Sequence, residues 1–189
     1  PGFDIKRFPA QVYMQNPIEA VLDLRQHNDL TADMVDQLTL YRRGRGHSGP
    51  IPQSGLDGKF SVEYCAATAL LDGHVGIDSF TDARRFAPDM EETLGKIKVE
   101  PEGPETGAVK VTALLKDGRT VNGECQRFRG SAGNPMSYQE RMDKIQDCIG
   151  RALSNQDARR LITLLEDLEN VDDITALMDI IGQRPPVRG

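Results

Sequence analysis

The dipeptide Asp117-Gly118 stands between two patterned runs, Ala108 to Lys116 and Arg119 to Cys125. Such a pair flanked by strand-like sequence is the strongest short-range hairpin signal a chain offers, because Gly supplies the positive φ that the turn requires. Val109, Val111, Ala113 and Leu115 share one face of the first run, while on the second Thr120 and Asn122 face away from Val121 and Gly123. Val35 to Arg42 alternates in the same way, with Leu38 and Leu40 on one face and Gln37, Thr39 and Tyr41 on the other. Ile97 and Val99 mark a further short strand. Half-buried strands need a partner layer, and strands in a row with helices set to one side predict an α+β fold: a small antiparallel sheet with helices packed on one side.

Helix signals supply that layer. Asn16 reads as an N-cap, Pro17 as the first helical residue and Glu19 as the residue that reaches back to the cap; Ile18, Val21 and Leu22 give this helix an apolar face. A second helix runs from near Ser61 to its stop at Gly73, with Val62, Cys65, Ala66, Ala69 and Leu70 as its buried stripe. Ile77 to Phe86 predicts a short helix with a second start at Thr81-Asp82, and Pro88 opens another. Between them Arg43 to Gly55 is a long loop, which with Arg42, Arg43 and Arg45 is suited to meet a carboxylate ligand or a neighbouring subunit. Phe128 to Met136, a Gly- and Pro-containing loop, ends the sheet. From Ser137 the character changes: a capping box at Ser137-Tyr-Gln-Glu140 opens the first of three amphipathic helices, without a strand among them. Residues 1–129 therefore read as a small α+β domain, and residues 130–189 as C-terminal helices that complete a large helical domain. The opening Pro1-Gly2-Phe3, without Met and almost at once inside patterned sequence, suggests the C-terminal part of a longer polypeptide, with the rest of the helical domain upstream.

Charge and cysteine usage narrow the function classes. A net charge of -6 and a pI near 5.1 provide no global basic field, which disfavours nucleic acid and anionic membranes as partners. Cys65, Cys125 and Cys148 are too scattered for a disulfide framework or a zinc site, which fits a reducing cytoplasm. His27, His47 and His74 have no carboxylate or Ser partners at a recognisable spacing, and no P-loop, GxGxxG or HExxH occurs. An anion site must therefore be made locally. Two places suit one. Lys6 lies just before Phe8-Pro9, where proline disfavours helical geometry, and ahead of a docked helix. Lys59 and Tyr64 flank the helix start at Ser61, where unpaired N–H groups and the macrodipole favour negative charge.

The order KRFPAQ, capped helix, FSVEYCAATALLDG, KDGRT hairpin, GSAGNPMSYQERMDK and terminal helices resembles the MmgE/PrpD family, which includes 2-methylcitrate dehydratase, cis-aconitate decarboxylase and an iminodisuccinate epimerase. The resemblance implies a helical domain formed from both chain ends, a smaller α+β domain between them, and a cleft site that uses no cofactor and no metal. It also implies a carboxylate-contacting role for Lys6 and a cleft-facing role for Tyr64, the two catalytic candidates, with Gln11, Lys59 and Ser61 as substrate-binding candidates. Gln11 falls where decarboxylase-type members carry histidine, and an amide does not exchange a proton at neutral pH. The expectation is thus part of a cytoplasmic, homodimeric hydro-lyase of the 2-methylcitrate dehydratase type acting on a hydroxy-polycarboxylic acid, inactive without its upstream domain. A decarboxylase or epimerase of the same family is the nearest rival, and a non-catalytic binding or assembly module the rival from another class. Water elimination needs a cation near the substrate carboxylate, a base and an acid for the departing hydroxyl. This chain offers the first and no candidate for the other two.

Overall fold

A computed structural model describes residues 2–43 and 51–182. Four strands, β1 (Val35–Tyr41), β2 (Ile97–Glu100), β3 (Val109–Leu115) and β4 (Thr120–Cys125), form one sheet in the order β2-β1-β3-β4. The hairpin forms as expected, with Ala113 opposite Val121 and Gly118 at φ 86° in the turn. The sheet is mixed, however, and not purely antiparallel. β2 lies parallel to β1, pairing Leu38 with Ile97 and Leu40 with Val99. Parallel neighbours need a long crossover, and here the helical segment between Tyr41 and Ile97 provides it.

The helices of this region are α1 (Gln15–His27), α2 (Gly55–Gly58), α3 (Val62–Asp72), α4 (Asp82–Arg85) and α5 (Pro88–Leu94). Leu38, Leu40, Val111 and Ala113 form a continuous core with Ile18, Val21 and Leu24 of α1, Cys65, Ala66 and Leu70 of α3, and Met90 of α5. The opposite sheet face is polar, with Thr112 donating to Asn122 Oδ1 at 2.8 Å. Ser61 caps α3 by accepting from Tyr64 N at 3.1 Å, and Gly73 ends it in the left-handed region at φ 70°. A Cβ on Gly73 would collide with the guanidinium of Arg25, a second reason for glycine there.

The start of α1 departs from the sequence expectation. A 3-10 turn at Val12–Met14 runs straight into α1, so Asn16 and Pro17 lie inside its first turn. Asn16 is a cross-link in place of a cap: Oδ1 accepts from Phe128 N at 2.8 Å and Nδ2 donates to Gly107 O at 2.9 Å. Glu19, expected to reach back to the cap, is 1 % exposed and held by arginines.

By packing, the chain divides into two compact units, Pro1–Ser137 and Tyr138–Gly189. The second unit holds α6 (Tyr138–Ile149), α7 (Asn155–Glu166) and α8 (Thr175–Ile181). Ser154 caps α7 by accepting from Asp157 N at 3.1 Å. Leu161, Leu177 and Ile180 form the small core of this unit. Among the described residues no helix is long and apolar enough to cross a membrane.

Candidate active site

The segment carrying Lys6 is a built bend. Arg7 to Ala10 turn, with Ala10 N donating to Phe8 O at 2.8 Å. Gln15, fully buried at the start of α1, closes the bend from inside: its Oε1 accepts from Phe8 N at 3.0 Å, and its Nε2 donates to Phe8 O at 3.2 Å. A buried amide with both ends engaged loses little on leaving water, whereas an unmatched one costs about 1–3 kcal/mol. The role of Gln15 rests on a turn that spacing alone does not reveal.

Beneath the bend, Glu19 Oε1 pairs with Arg7 NH1 at 2.9 Å, and Glu19 Oε2 meets Arg129, which also pairs with Asp23 at 2.7 Å. These two carboxylates hold the Arg129 guanidinium more firmly protonated than usual, against the opposing effect of burial. Arg7 also lies over the Phe8 ring at 5.0 Å. Lys6 itself is exposed, flanked on both sides by anchored residues.

The other candidates group around the start of α3. Gln11 N donates to Lys59 O at 3.0 Å, which brings those two backbones together. The Lys59 ammonium lies 5.7 Å from the centre of the Phe80 ring. Ser61 is buried, and its hydroxyl is engaged twice, accepting from Tyr64 N and donating to Glu63 Oε2 at 3.2 Å. The N–H groups expected to receive an anion are thus partly satisfied by the cap. Tyr64 is fully buried, and its hydroxyl donates to Ser79 O at 2.6 Å. Burial pushes the phenol up to about 12, so within this unit Tyr64 is a neutral core residue that ties α3 to the 3-10 turn at Ile77–Phe80. Its ring packs at 6.1 Å from Phe80 and against Gly58, where a Cβ would overlap it. No hydrogen bond or ion pair joins Lys6 to Gln11, Lys59, Ser61 or Tyr64.

Glu63 is the group that sequence reading passed over. Burial raises its carboxyl above the ordinary range, opposed by hydrogen bonding and by Arg42. Arg42, at the end of β1, is itself lowered by burial. Of the arginine-rich loop, residues 44–50, including Arg45 and His47, lie outside the described residues; Arg43 pairs with Glu105 at 2.6 Å on the surface. The glycine-rich loop after β4 spends part of its backbone internally, with Gly130 N donating to Asn134 O and Asn134 N to Ser131 O. Recesses in this unit are lined by other residues, among them one of about 740 Å³ over the polar sheet face at Lys110 and Asn122 and one of about 520 Å³ beside α1 at Arg7, Arg25 and Arg129. Among the described residues no group of three or more His, Cys, Asp or Glu could hold a metal ion.

The first unit is thus a mixed sheet backed on one face by α1, α3 and α5, and a helical unit follows it in the chain. The family model described as the MmgE/PrpD C-terminal domain matches residues 8–170, and the chain belongs to that family. Cis-aconitate decarboxylase of Mus musculus is 27% identical over 188 residues, covering 93% of this chain and 38% of that protein. The human cis-aconitate decarboxylase is 26% identical over 193 residues, covering 96% and 40%. The chain thus spans about two fifths of the length of these curated relatives.

Proposed function

We propose that this chain is the C-terminal part of a cofactor-independent lyase that removes water from a hydroxy-polycarboxylic acid of the 2-methylcitrate type. Lys6 supplies the cation for a substrate carboxylate. The observation that carries this reading is the exposed Lys6 beside a bend clamped by Gln15 and Glu19, within a chain that belongs to the MmgE/PrpD family. Removing a proton next to a carboxylate builds up negative charge, and a fixed ammonium stabilises that charge more than one that must be reoriented. Lys59 and Gln11, adjoining through their backbones, are secondary contacts for the same acid. In this reading Tyr64 and Ser61 act by fixing the start of α3. The base and the acid come from the upstream part of the polypeptide, and the enzyme works as a cytoplasmic homodimer.

Decarboxylation is the second reading, and the two cis-aconitate decarboxylase relatives favour it. Against it stands Gln11, an amide where the family resemblance implies an acid–base histidine. The complete polypeptide, incubated separately with 2-methylcitrate, citrate and cis-aconitate, distinguishes the two. The dehydratase reading expects an unsaturated acid from a hydroxy acid. Carbon dioxide from cis-aconitate alone would establish the decarboxylase instead. Turnover of none by folded protein would favour a binding or assembly module.

A further inference from the structure

We propose that Arg129 is a positioning residue for Lys6, an inference that rests on the lyase reading for its substrate role but not for its geometry. The four residues around Lys6 are each tied down. Asp4 Oδ1 accepts from Ala132 N at 2.9 Å, and Ile5 N donates to Gly130 O at 2.7 Å. On the other side Arg7 pairs with Glu19, and the backbone of Phe8 is held by Gln15. Lys6 stands at the crown of this arch, with its ammonium exposed.

Both feet of the arch meet at residues 129 and 130. Gly130 carries the backbone contact: at φ 106° it occupies a region reserved for glycine, and a Cβ would lie 2.1 Å from Ile5 O. Arg129 carries the other foot by ion pairing. Its guanidinium holds Glu19 from the side opposite Arg7 and is fixed in turn by Asp23. Both carboxylates meet the same terminal nitrogen of Arg129, and a guanidinium, more weakly hydrated than an ammonium, suits such a part-buried ion pair better than lysine does. Replacing Arg129 frees Glu19 to follow Arg7, and Arg7 is the neighbour of Lys6 in the chain. The result is a lysine still present and still charged, but no longer held in one place.

The test uses the complete polypeptide with Arg129→Ala and Arg129→Lys, each alone and combined with Lys6→Ala. Arg129→Ala is expected to raise KM for the acid about tenfold, in the range that small misplacements of a binding group produce, with a smaller change in kcat. Arg129→Lys should recover part of the loss. In the Lys6→Ala background Arg129→Ala should add nothing further, because the two act as one unit. Hydrogen exchange supplies a readout independent of turnover: the Ile5 amide should exchange at least about tenfold faster in Arg129→Ala, while Val111 in β3 keeps its rate. If Arg129→Ala does not fold, Asp23→Asn, which removes one of the two acceptors of Arg129, carries the same comparisons. Losses that multiply in the double variant, or an unchanged Ile5 exchange rate, overturn the proposal. A wild-type protein that turns over no acid, with Ile5 exchange still accelerated by Arg129→Ala, refutes the lyase reading while upholding the arch.

Discussion

The two units of this chain stabilise themselves in different ways. Pro1–Ser137 buries apolar residues on a sheet and on three helices, and Met14, Ile18, Leu38, Leu40 and Met90 are all fully inaccessible. Tyr138–Gly189 has helices of clear amphipathic pattern, yet α6 buries no residue. Leu165, Ile174, Met178 and Ile181 are each at least half exposed. Strong helix patterning therefore does not by itself imply a self-sufficient core. Most helical stability comes from packing of the apolar face, and these helices leave much of theirs uncovered within their own unit.

The largest expected effect that sharpens this contrast is a core truncation on each side. Leu38→Ala should destabilise the first unit by about 2–5 kcal/mol, the usual range for a fully buried leucine. Leu161→Ala in the 189-residue chain should cost about 1 kcal/mol, because its cluster holds only three buried residues and has less apolar packing to lose. Denaturant unfolding followed separately for the two units measures both. Equal costs would break the comparison. The cysteines offer the reporter. Cys65 and Cys125 are buried in the first unit, with their thiols pushed up by burial, Cys125 to about 12, whereas Cys148 lies exposed on α6. Alkylation of the native chain should label Cys148 alone, and labelling of the other two should appear only as the first unit opens.

Smaller effects test the site within the first unit. Tyr64→Phe removes the hydroxyl that satisfies Ser79 O and should cost about 1–2 kcal/mol. If Tyr64 is a core residue, turnover by the folded variant should fall little; loss of all activity at unchanged stability would return it to the chemistry. Glu63 gives the smallest effect, and its sign is set by burial. Its folded pKa is raised, so the folded state favours the protonated form, and stability is lost as pH rises from the unfolded value near 4.5 through the raised one. Glu63→Gln should therefore match wild type in melting temperature at pH 4 and exceed it slightly at pH 7. A variant less stable at pH 7 would show that the attraction of Arg42 outweighs burial.

What was legible in the sequence was local. Ser61 and Gly73 bound α3, Pro88 opens α5 and Asp117-Gly118 turns the hairpin, because each signal acts within a few residues. The parallel pairing of β1 with β2 was hidden, since the crossover between them carries no mark of which edge it returns to. Asn16 and Glu19 show the same limit at the site. Their spacing matches a helix cap, but the distant partners Gly107, Phe128 and Arg129 outcompete the local one. Lys6 could be singled out by residue type and resemblance. The arch that holds it could not, because its feet are more than a hundred residues away in sequence.

The most direct test of the central claim, that this part of the polypeptide recognises a carboxylate through Lys6, is calorimetric titration of the complete protein with tricarballylate, a tricarboxylate without a hydroxyl to eliminate. Wild type should bind it, and Lys6→Ala should bind at least about tenfold more weakly, a loss of roughly 1.4 kcal/mol. Equal affinity in the two proteins would contradict the account and place carboxylate recognition elsewhere in the polypeptide.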